Sequence, residues 1–165
     1  MRLIEKLKKL SINRPNEHAV VLKKKITYYL FWKYCCSLAF YLKKNKYSKV
    51  CILEDREKDY FTYISMFATL LSGGTYIPLN KSTPRKRLEY ILKESGANLL
   101  ISKNKIDLNI KICMLNFGKI QKLKPIKNFN IIKSSKDAYI IFTSGTTGKP
   151  KGCLLYTSDA ADDKQ

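Results

Sequence analysis

The sequence predicts an α/β fold in which a mostly parallel sheet is covered by helices on both faces. Short apolar runs rich in β-branched residues alternate with helical patterns along most of the chain. Gly73-Gly74, Pro84 and Gly96 stand where these patterns change, as residues of turns and helix ends do. Such alternation is typical of βαβ units with parallel strands. With 165 residues, of which 45% are hydrophobic, the chain is long enough for one domain with a sizeable core.

The first 44 residues are predicted to hold two helices around a pair of short strands. Leu3, Leu7 and Leu10 recur at helical spacing, which indicates an amphipathic helix. The expected elements are a helix at residues 2–10, strands at 19–22 and 26–27, and a helix at 28–44. The second helix is apolar over most of its circumference, so its solvent stripe is expected to consist of Lys33, Ser37 and Lys44.

The alternation continues through the rest of the chain. The expected elements are a strand at 49–53, a helix at 57–71, a strand at 75–79, a helix at 84–94, and strands at 98–101, 110–115 and 138–142. The strand at 110–115 lies within a connection rich in lysine and asparagine, residues 102–136, from which we infer no chemistry.

The formal charge of +19 suggests a nucleic-acid or anionic-membrane partner. The lysines, however, are spread over almost every segment, and arginine is scarce. Ile, Asn, Lys and Tyr are abundant and have AT-rich codons, so genome composition explains the charge at least as well. We therefore expect no nucleic-acid partner. A small basic protein that binds nucleic acid or anionic lipid is kept as the alternative function.

Cysteine and histidine usage indicates neither a metal site nor a disulfide framework. The five cysteines are odd in number, form no C-x-x-C pair, and have only His18, expected at the surface, as a possible co-ligand. The first ten residues lack the apolar core of a signal peptide. Residues 28–42 are too short for a membrane span and are interrupted by Lys33. We expect a cytoplasmic protein with reduced, mostly buried thiols.

Residues 138–152 carry the chemistry of the chain. They read Ala-Tyr-Ile-Ile-Phe-Thr-Ser-Gly-Thr-Thr-Gly-Lys-Pro-Lys-Gly, a buried strand followed by small hydroxyl-bearing residues and two lysines. The glycines let the backbone approach a ligand closely, and successive N–H groups in such a turn bind anions. The hydroxyls and lysines add hydrogen-bond donors and positive charge. A di- or triphosphate is the ligand that suits these groups best.

This loop is not a Walker A motif, which needs four residues between its glycines and Lys-Ser/Thr directly after the second. Only two residues separate Gly145 from Gly148, and Pro150 follows Lys149. Residues 139–152 instead resemble the signature loop of the adenylate-forming superfamily. That superfamily includes acyl-CoA synthetases, aminoacyl-adenylating domains of peptide synthetases and D-alanine–carrier protein ligases.

The resemblance implies that this loop holds the β- and γ-phosphates of ATP, together with Mg²⁺. The implied phosphate-binding residues are Thr143, Ser144, Gly145, Thr146, Thr147, Gly148 and Lys151. The resemblance also implies that the full-length protein activates a carboxylate as an acyl-adenylate and releases pyrophosphate. The acyl group then passes to the thiol of CoA or of a carrier-protein phosphopantetheine. No catalytic residue and no metal ligand is assigned within the chain.

An earlier block resembles the same superfamily and favours an amino acid as the substrate. Residues 73–80 read Gly-Gly-Thr-Tyr-Ile-Pro-Leu-Asn, and with Arg87 they resemble the second conserved block of aminoacyl-adenylating domains. Asn80 and Lys81 depart from the Asp-Pro that the family commonly shows there. Amino-acid-activating enzymes often carry Ser at the position of Thr146, so this residue slightly favours an acyl-CoA synthetase. A fatty or aromatic acyl-CoA synthetase therefore stays open as an alternative.

We divide the chain at Gly152. Residues 1–152 are interpreted as a partial N-terminal AMP-binding subdomain, and therefore an incomplete fold, that ends at the phosphate loop. Residues 153–165 are expected to be a non-native tail, because residues 153–163 match, codon for codon, a translation of the transposon-end adapter used in sequencing libraries. By the resemblance, the adenine pocket, the acyl pocket and the mobile C-terminal domain with its catalytic lysine would lie outside this chain. The chain alone is therefore predicted to show no adenylation activity.

Overall fold

A computed structural model describes residues 2–55, 59–126, 129–130, 137–144 and 150–156. Its helices are α1 (Arg2–Asn13), α2 (Tyr28–Lys44), α3 (Tyr60–Leu71), α4 (Arg85–Glu94) and α5 (Phe117–Gln121). Its strands are β1 (His18–Val21), β2 (Lys25–Thr27), β3 (Lys49–Glu54), β4 (Thr75–Asn80), β5 (Leu99–Ser102), β6 (Cys113–Asn116), β7 (Asp137–Ser144) and β8 (Pro150–Tyr156).

Six strands form one sheet in the order β6-β5-β3-β4-β7-β8, while β1 and β2 form a separate antiparallel pair. The neighbours from β6 to β7 are parallel, and only β7 and β8 run antiparallel. The predicted mostly parallel α/β sheet is therefore confirmed. Because parallel strands point the same way, the carboxyl ends of β3, β4 and β7 meet at one edge of the sheet, at Glu54, Asn80 and Ser144.

Helices cover the sheet on both faces, as the sequence predicts. Alternate residues of β3 are buried on opposite faces: Val50 and Ile52 pack with α1, α2, α3 and α5, while Cys51 and Leu53 pack with α4. Strands buried on both sides read as continuous apolar runs, which is why residues 49–53 carry no polar alternation.

The solvent stripe predicted for α2 is wrong at one position. Ser37 is buried, with 4% of its surface exposed. Its hydroxyl donates to the carbonyl oxygen of Lys33 at 2.9 Å and accepts from the backbone N–H of Ile126 at 3.1 Å. A later segment of the chain therefore covers α2 at this position, and both bonds satisfy the buried hydroxyl. Lys33 is half-buried and Lys44 is exposed.

The predicted strand at 110–115 starts too early, because the strand itself begins at Cys113. Ile110 and Ile112 are half-buried and pack against the α4 side of the core without joining the sheet. The short helix α5 and the strand β8 were not predicted from the sequence. His18 is exposed, as expected.

Burial separates the five thiols into two groups. Cys35, Cys36 and Cys51 have no exposed surface, and burial raises the pKa of the Cys36 and Cys51 thiols to about 12. Cys113 and Cys153 are exposed. The thiolate is the form that reacts with disulfide reagents. Burial and the raised pKa therefore both protect Cys35, Cys36 and Cys51 from such reagents.

We expect a disulfide reagent at pH 8 to label two thiols rapidly and the other three only as fast as the chain opens. In urea all five thiols become accessible, and the pKa of each buried thiol returns to its lower ordinary value, so all five should react. Quantification of the released chromophore with and without urea measures this difference. Rapid reaction of more than two thiols in the native protein would contradict the burial of this group.

Candidate phosphate-binding site

The hairpin of β7 and β8 positions the candidate site at the carboxyl edge of the sheet. Ala138 and Ile140 anchor β7 because both side chains are buried in the core. Tyr139 stacks on Tyr76 of β4, with ring centroids 5.3 Å apart and an angle of 12° between the ring planes. These contacts fix β7 beside β4, so the end of β7 is held by the packed part of the molecule.

Two of the predicted phosphate-binding residues face each other across this hairpin. Thr143 of β7 pairs with Lys151 of β8, and the next pair is Ser144 with Pro150. Directly opposed residues in an antiparallel pair have Cβ atoms about 4.5–5.5 Å apart on the same face. The Cβ atoms of Thr143 and Lys151 are therefore neighbours on one face of the hairpin. Both side chains are exposed.

The structure describes only some of the predicted phosphate-binding residues. Thr143, Ser144 and Lys151 lie in described strands at the base of the loop. The other predicted residues, Gly145, Thr146, Thr147 and Gly148, lie outside the described residues. The register of β7 and β8 brings the two ends of the loop together.

The neighbouring strand ends supply further polar groups at this edge. Tyr76 pairs with Tyr139 in parallel register, and Asn80 at the end of β4 lines the same pocket as Phe142 of β7. Lys81 follows Asn80, and its ammonium lies 3.0 Å from a carboxylate oxygen of Asp55. In the sequence, Asn80 is recognisable only as a departure from the Asp-Pro that the family commonly shows. Its position at this edge follows from strand register, which no local motif records.

The electrostatics of this edge suit an anion. The cation Lys151 lies on β8, while the nearby Asp55 carboxylate is already paired with Lys81. Beneath them, burial raises the pKa of Tyr76, and neighbouring Tyr139 and Glu54 raise it further, so the phenol stays uncharged at neutral pH. The Thr143 hydroxyl and the Lys151 ammonium can thus donate to phosphate oxygens, while the Glu54 carboxylate at the end of β3 is an acidic group that remains near this edge.

The described residues contain no group of three or more His, Cys, Asp or Glu side chains that could hold a metal ion. Mg²⁺ often binds through substrate phosphates, water and only one or two carboxylates. A nucleotide-borne magnesium ion therefore fits this edge, whereas a metal cage made by these residues alone does not.

The AMP-binding enzyme family model matches residues 9–162. The chain therefore belongs to the AMP-binding enzyme family.

Relatives of the chain include enzymes of peptide synthesis. Bacitracin synthase 1 of Bacillus licheniformis is 36% identical over 116 residues, which cover 69% of this chain and 2% of that protein. Zwittermicin A synthase ZmaJ of Bacillus cereus is 31% identical over 153 residues, covering 87% of this chain and 29% of that protein. The chain thus spans a small part of the length of the curated relatives it matches.

Solved structures agree with the fold. The N-terminal subdomain of Klebsiella oxytoca NpsA, in complex with 3-hydroxybenzoyl-AMSN, superposes with a TM-score of 0.78 at 27% identity, covering 93% of this chain and 40% of that one. The nonribosomal peptide synthetase FmoA3 superposes with a TM-score of 0.81 at 21% identity, covering 93% of this chain and 17% of that one, which supports the fold alone. The predicted N-terminal subdomain architecture is confirmed.

Aromatic rings lie both in the core and at the surface of the described structure. An unspecific single-strand binder needs exposed aromatic rings interleaved with a basic face. Here Phe31, Trp32, Phe61 and Phe117 are buried in the core, whereas Tyr29 and Phe40 are exposed. Within the described residues, no helix is long and apolar enough to cross a membrane.

Proposed function

We propose that the full-length protein is an ATP-dependent ligase that activates a carboxylate as an acyl-adenylate. Pyrophosphate is released, and the acyl group then passes to a thiol. The observation that carries the proposal is the cross-strand pair of Thr143 and Lys151 at the base of a Ser/Thr/Gly-rich loop, at the carboxyl edge of the sheet. Ligands of open α/β sheets bind outside this edge.

The chemistry requires stabilisation of negative charge on a leaving group. A carboxylate oxygen of the acid attacks the α-phosphorus of ATP, and the bond between that phosphorus and the bridging oxygen to the β-phosphorus breaks. The electron pair leaves with pyrophosphate. In our proposal the Lys151 ammonium, the hydroxyls of residues 143, 144, 146 and 147, and the loop N–H groups hold the β- and γ-phosphates and stabilise the charge that develops there.

A magnesium ion carried by the nucleotide would neutralise part of the phosphate charge in the same step. The protein's own contribution is positioning. Buried Ala138 and Ile140 fix β7, and the pairing with β8 fixes Lys151 relative to Thr143. Such preorganisation means that the donors need not be reoriented when charge develops.

An amino acid is the substrate we propose first, since the relatives include bacitracin and gramicidin S synthetases. Aromatic acids are the second class, because structures of the similar NpsA subdomain contain 3-hydroxybenzoyl-AMSN and anthranilyl-AMSN. An NpsA-ThdA fusion is described as an adenylation-PCP di-domain, which supports a carrier-protein thiol as the acceptor over CoA. We place the protein in the cytoplasm, where its buried thiols would stay reduced.

Titration of the 165-residue chain with ATP tests the binding part of this proposal. The chain offers ATP the phosphate contacts alone, so we expect a Kd of about 1 mM or weaker. The amide resonances of Thr143 and Lys151 should shift with ATP and with pyrophosphate but not with adenosine. Shifts with adenosine that pyrophosphate fails to reproduce would contradict phosphate binding at this hairpin.

We also propose that the native sequence of this chain ends at Gly152 and that the remainder is adapter-derived. Strand β8 itself continues to Tyr156. Sequencing the source locus without an adapter should reveal a branched apolar residue near position 153 and a much longer reading frame. An intact genomic copy that encodes residues 153–165 followed by a stop codon would overturn this boundary.

A further inference from the structure

A second pocket lies at the same edge of the sheet, on the face covered by α4. Its volume is about 320 Å³, at the lower end of the range for small-molecule sites. The turn between β4 and α4 forms one wall, Arg87 of α4 another, and Phe142 of β7 the floor. Phe142 directly precedes Thr143, so the Arg87 pocket and the candidate phosphate site meet at the end of β7, where the two side chains point to opposite faces of the sheet.

Three hydrogen-bond donors line the Arg87 pocket without protein partners. The Arg87 guanidinium, the Asn80 side-chain amide nitrogen and the Thr83 hydroxyl form no hydrogen bond or ion pair within the described part of the chain. By contrast, Arg85, two residues away, bonds Glu89 at 3.2 Å and Asn109 at 2.9 Å. Arg87 is thus the arginine of this helix that keeps all its donors available.

The turn also fixes the direction of one of these donors. The side-chain oxygen of Asn80 accepts from the backbone N–H of Ser82 at 2.9 Å and from the Ser82 hydroxyl at 2.8 Å. The orientation of the Asn80 side chain is therefore set, and its amide nitrogen stays free to donate. No Asp or Glu is among the described residues that line the pocket. Free donors with one cation and no carboxylate select an anion.

We propose that the Arg87 pocket binds inorganic pyrophosphate, as a holding site for the product next to the loop that releases it. This inference rests on the proposed adenylate-forming function for the identity of its ligand. The anion contacts Arg87, Thr83 and Asn80. Arg87 is a binding residue for the product and takes no part in the bond-breaking step.

Titration of the isotopically labelled 165-residue chain with sodium pyrophosphate tests the proposal. The side-chain Nε–H resonance of Arg87 and the amide resonance of Thr83 should shift and saturate. Arg87→Gln should weaken this binding roughly three- to tenfold, the effect of removing one charged hydrogen bond at an exposed site. Lys86→Gln is the matched control, because it removes the same charge from the same helix turn but does not line the pocket. Arg87→Lys should restore part of the affinity.

Two outcomes would overturn the pocket assignment. One is the absence of a saturable Arg87 shift up to about 20 mM pyrophosphate, a concentration well above a millimolar Kd. The other is an equal loss of affinity in Arg87→Gln and Lys86→Gln, which would indicate only a loss of overall charge. A pyrophosphate titration of the Lys151→Ala variant separates this proposal from the proposed function, because the variant lacks the cation of the hairpin but keeps the residues of the Arg87 pocket. If ATP still shifts Thr143 in the wild type while pyrophosphate never shifts Arg87, the pocket fails and the ligase function stands.

Discussion

Lys151→Ala in the full-length protein is expected to lower acid-dependent pyrophosphate release by about 10²- to 10³-fold. This is the usual effect of removing one preorganised donor from charge that develops in a transition state. Lys151 is exposed and opposes Thr143 across the hairpin, so its loss should leave the fold intact. The measurement is the rate of pyrophosphate release at saturating ATP and acid.

Lys105→Ala is the control for this prediction. Lys105 is also exposed but follows β5, which lies three strand spacings from β7 in the sheet, about 14 Å. Its loss should leave the rate within about twofold of the wild type, because exposed charges at a distance are screened by salt. Lys151→Arg, which keeps the charge, should retain more activity than Lys151→Ala. Equal rates of pyrophosphate release for Lys151→Ala and Lys105→Ala would show that Lys151 does not belong to the phosphate-binding site.

Gly74→Ala is expected to destabilise the chain by about 2–3 kcal/mol, as overpacking of a rigid site does. A Cβ at this position would lie 2.7 Å from the carbonyl oxygen of Ser48 and 3.2 Å from Cγ2 of Thr69. That oxygen cannot move away easily, because it accepts the backbone N–H of Thr75 at 2.8 Å where β3 and β4 begin to pair. Urea unfolding of the variant and the wild type measures the difference.

Gly118→Ala is the matched control for Gly74→Ala. The added Cβ in α5 would lie 3.5 Å from the side-chain oxygen of Asn116, an ordinary contact. Alanine is favoured over glycine within a helix by roughly 0.5–1 kcal/mol, so this variant should be as stable as the wild type or slightly more so. The close approach of Gly74 to Ser48 is refuted if the two variants unfold at the same urea concentration.

Much of the fold could be predicted because most of its helices and strands have a recognisable pattern in their own local sequence. The helix Tyr28–Lys44 occurs at the expected residues, since its apolar pattern is continuous and Thr27 accepts the backbone N–H of Leu30 as an N-cap. The parallel strands are short apolar runs bounded by glycine or proline. Such signals lie within a few residues of the element that they define.

The missed features depend on contacts between distant parts of the chain. Ser37 looks like a solvent-facing residue until Ile126, 89 positions later, donates to its hydroxyl. Strand β8 contains proline, lysine and glycine, and it exists as a strand through its pairing with β7. A hydrophobic pattern within one window cannot show either contact.

The candidate site was predictable in composition but not in geometry. The motif of residues 143–151 indicates phosphate binding through its hydroxyls, glycines and lysines. The pairing of Thr143 with Lys151 required the register of the hairpin. The position of Asn80 beside the end of β7 required the parallel pairing of β4 and β7. Arg87 had no assigned role until the fold placed its free guanidinium beside Phe142.

The measurement that tests the central claim most directly is pyrophosphate release by the complete protein. The full reading frame would be recovered, and the protein assayed with ATP against a panel of amino acids and other carboxylic acids. We expect release that requires both ATP and one acid or a small group of related acids. The ligase function would be contradicted if no acid in the panel supported pyrophosphate release and the protein instead bound oligonucleotide with an affinity that falls steeply with salt. That result would favour the basic binding protein.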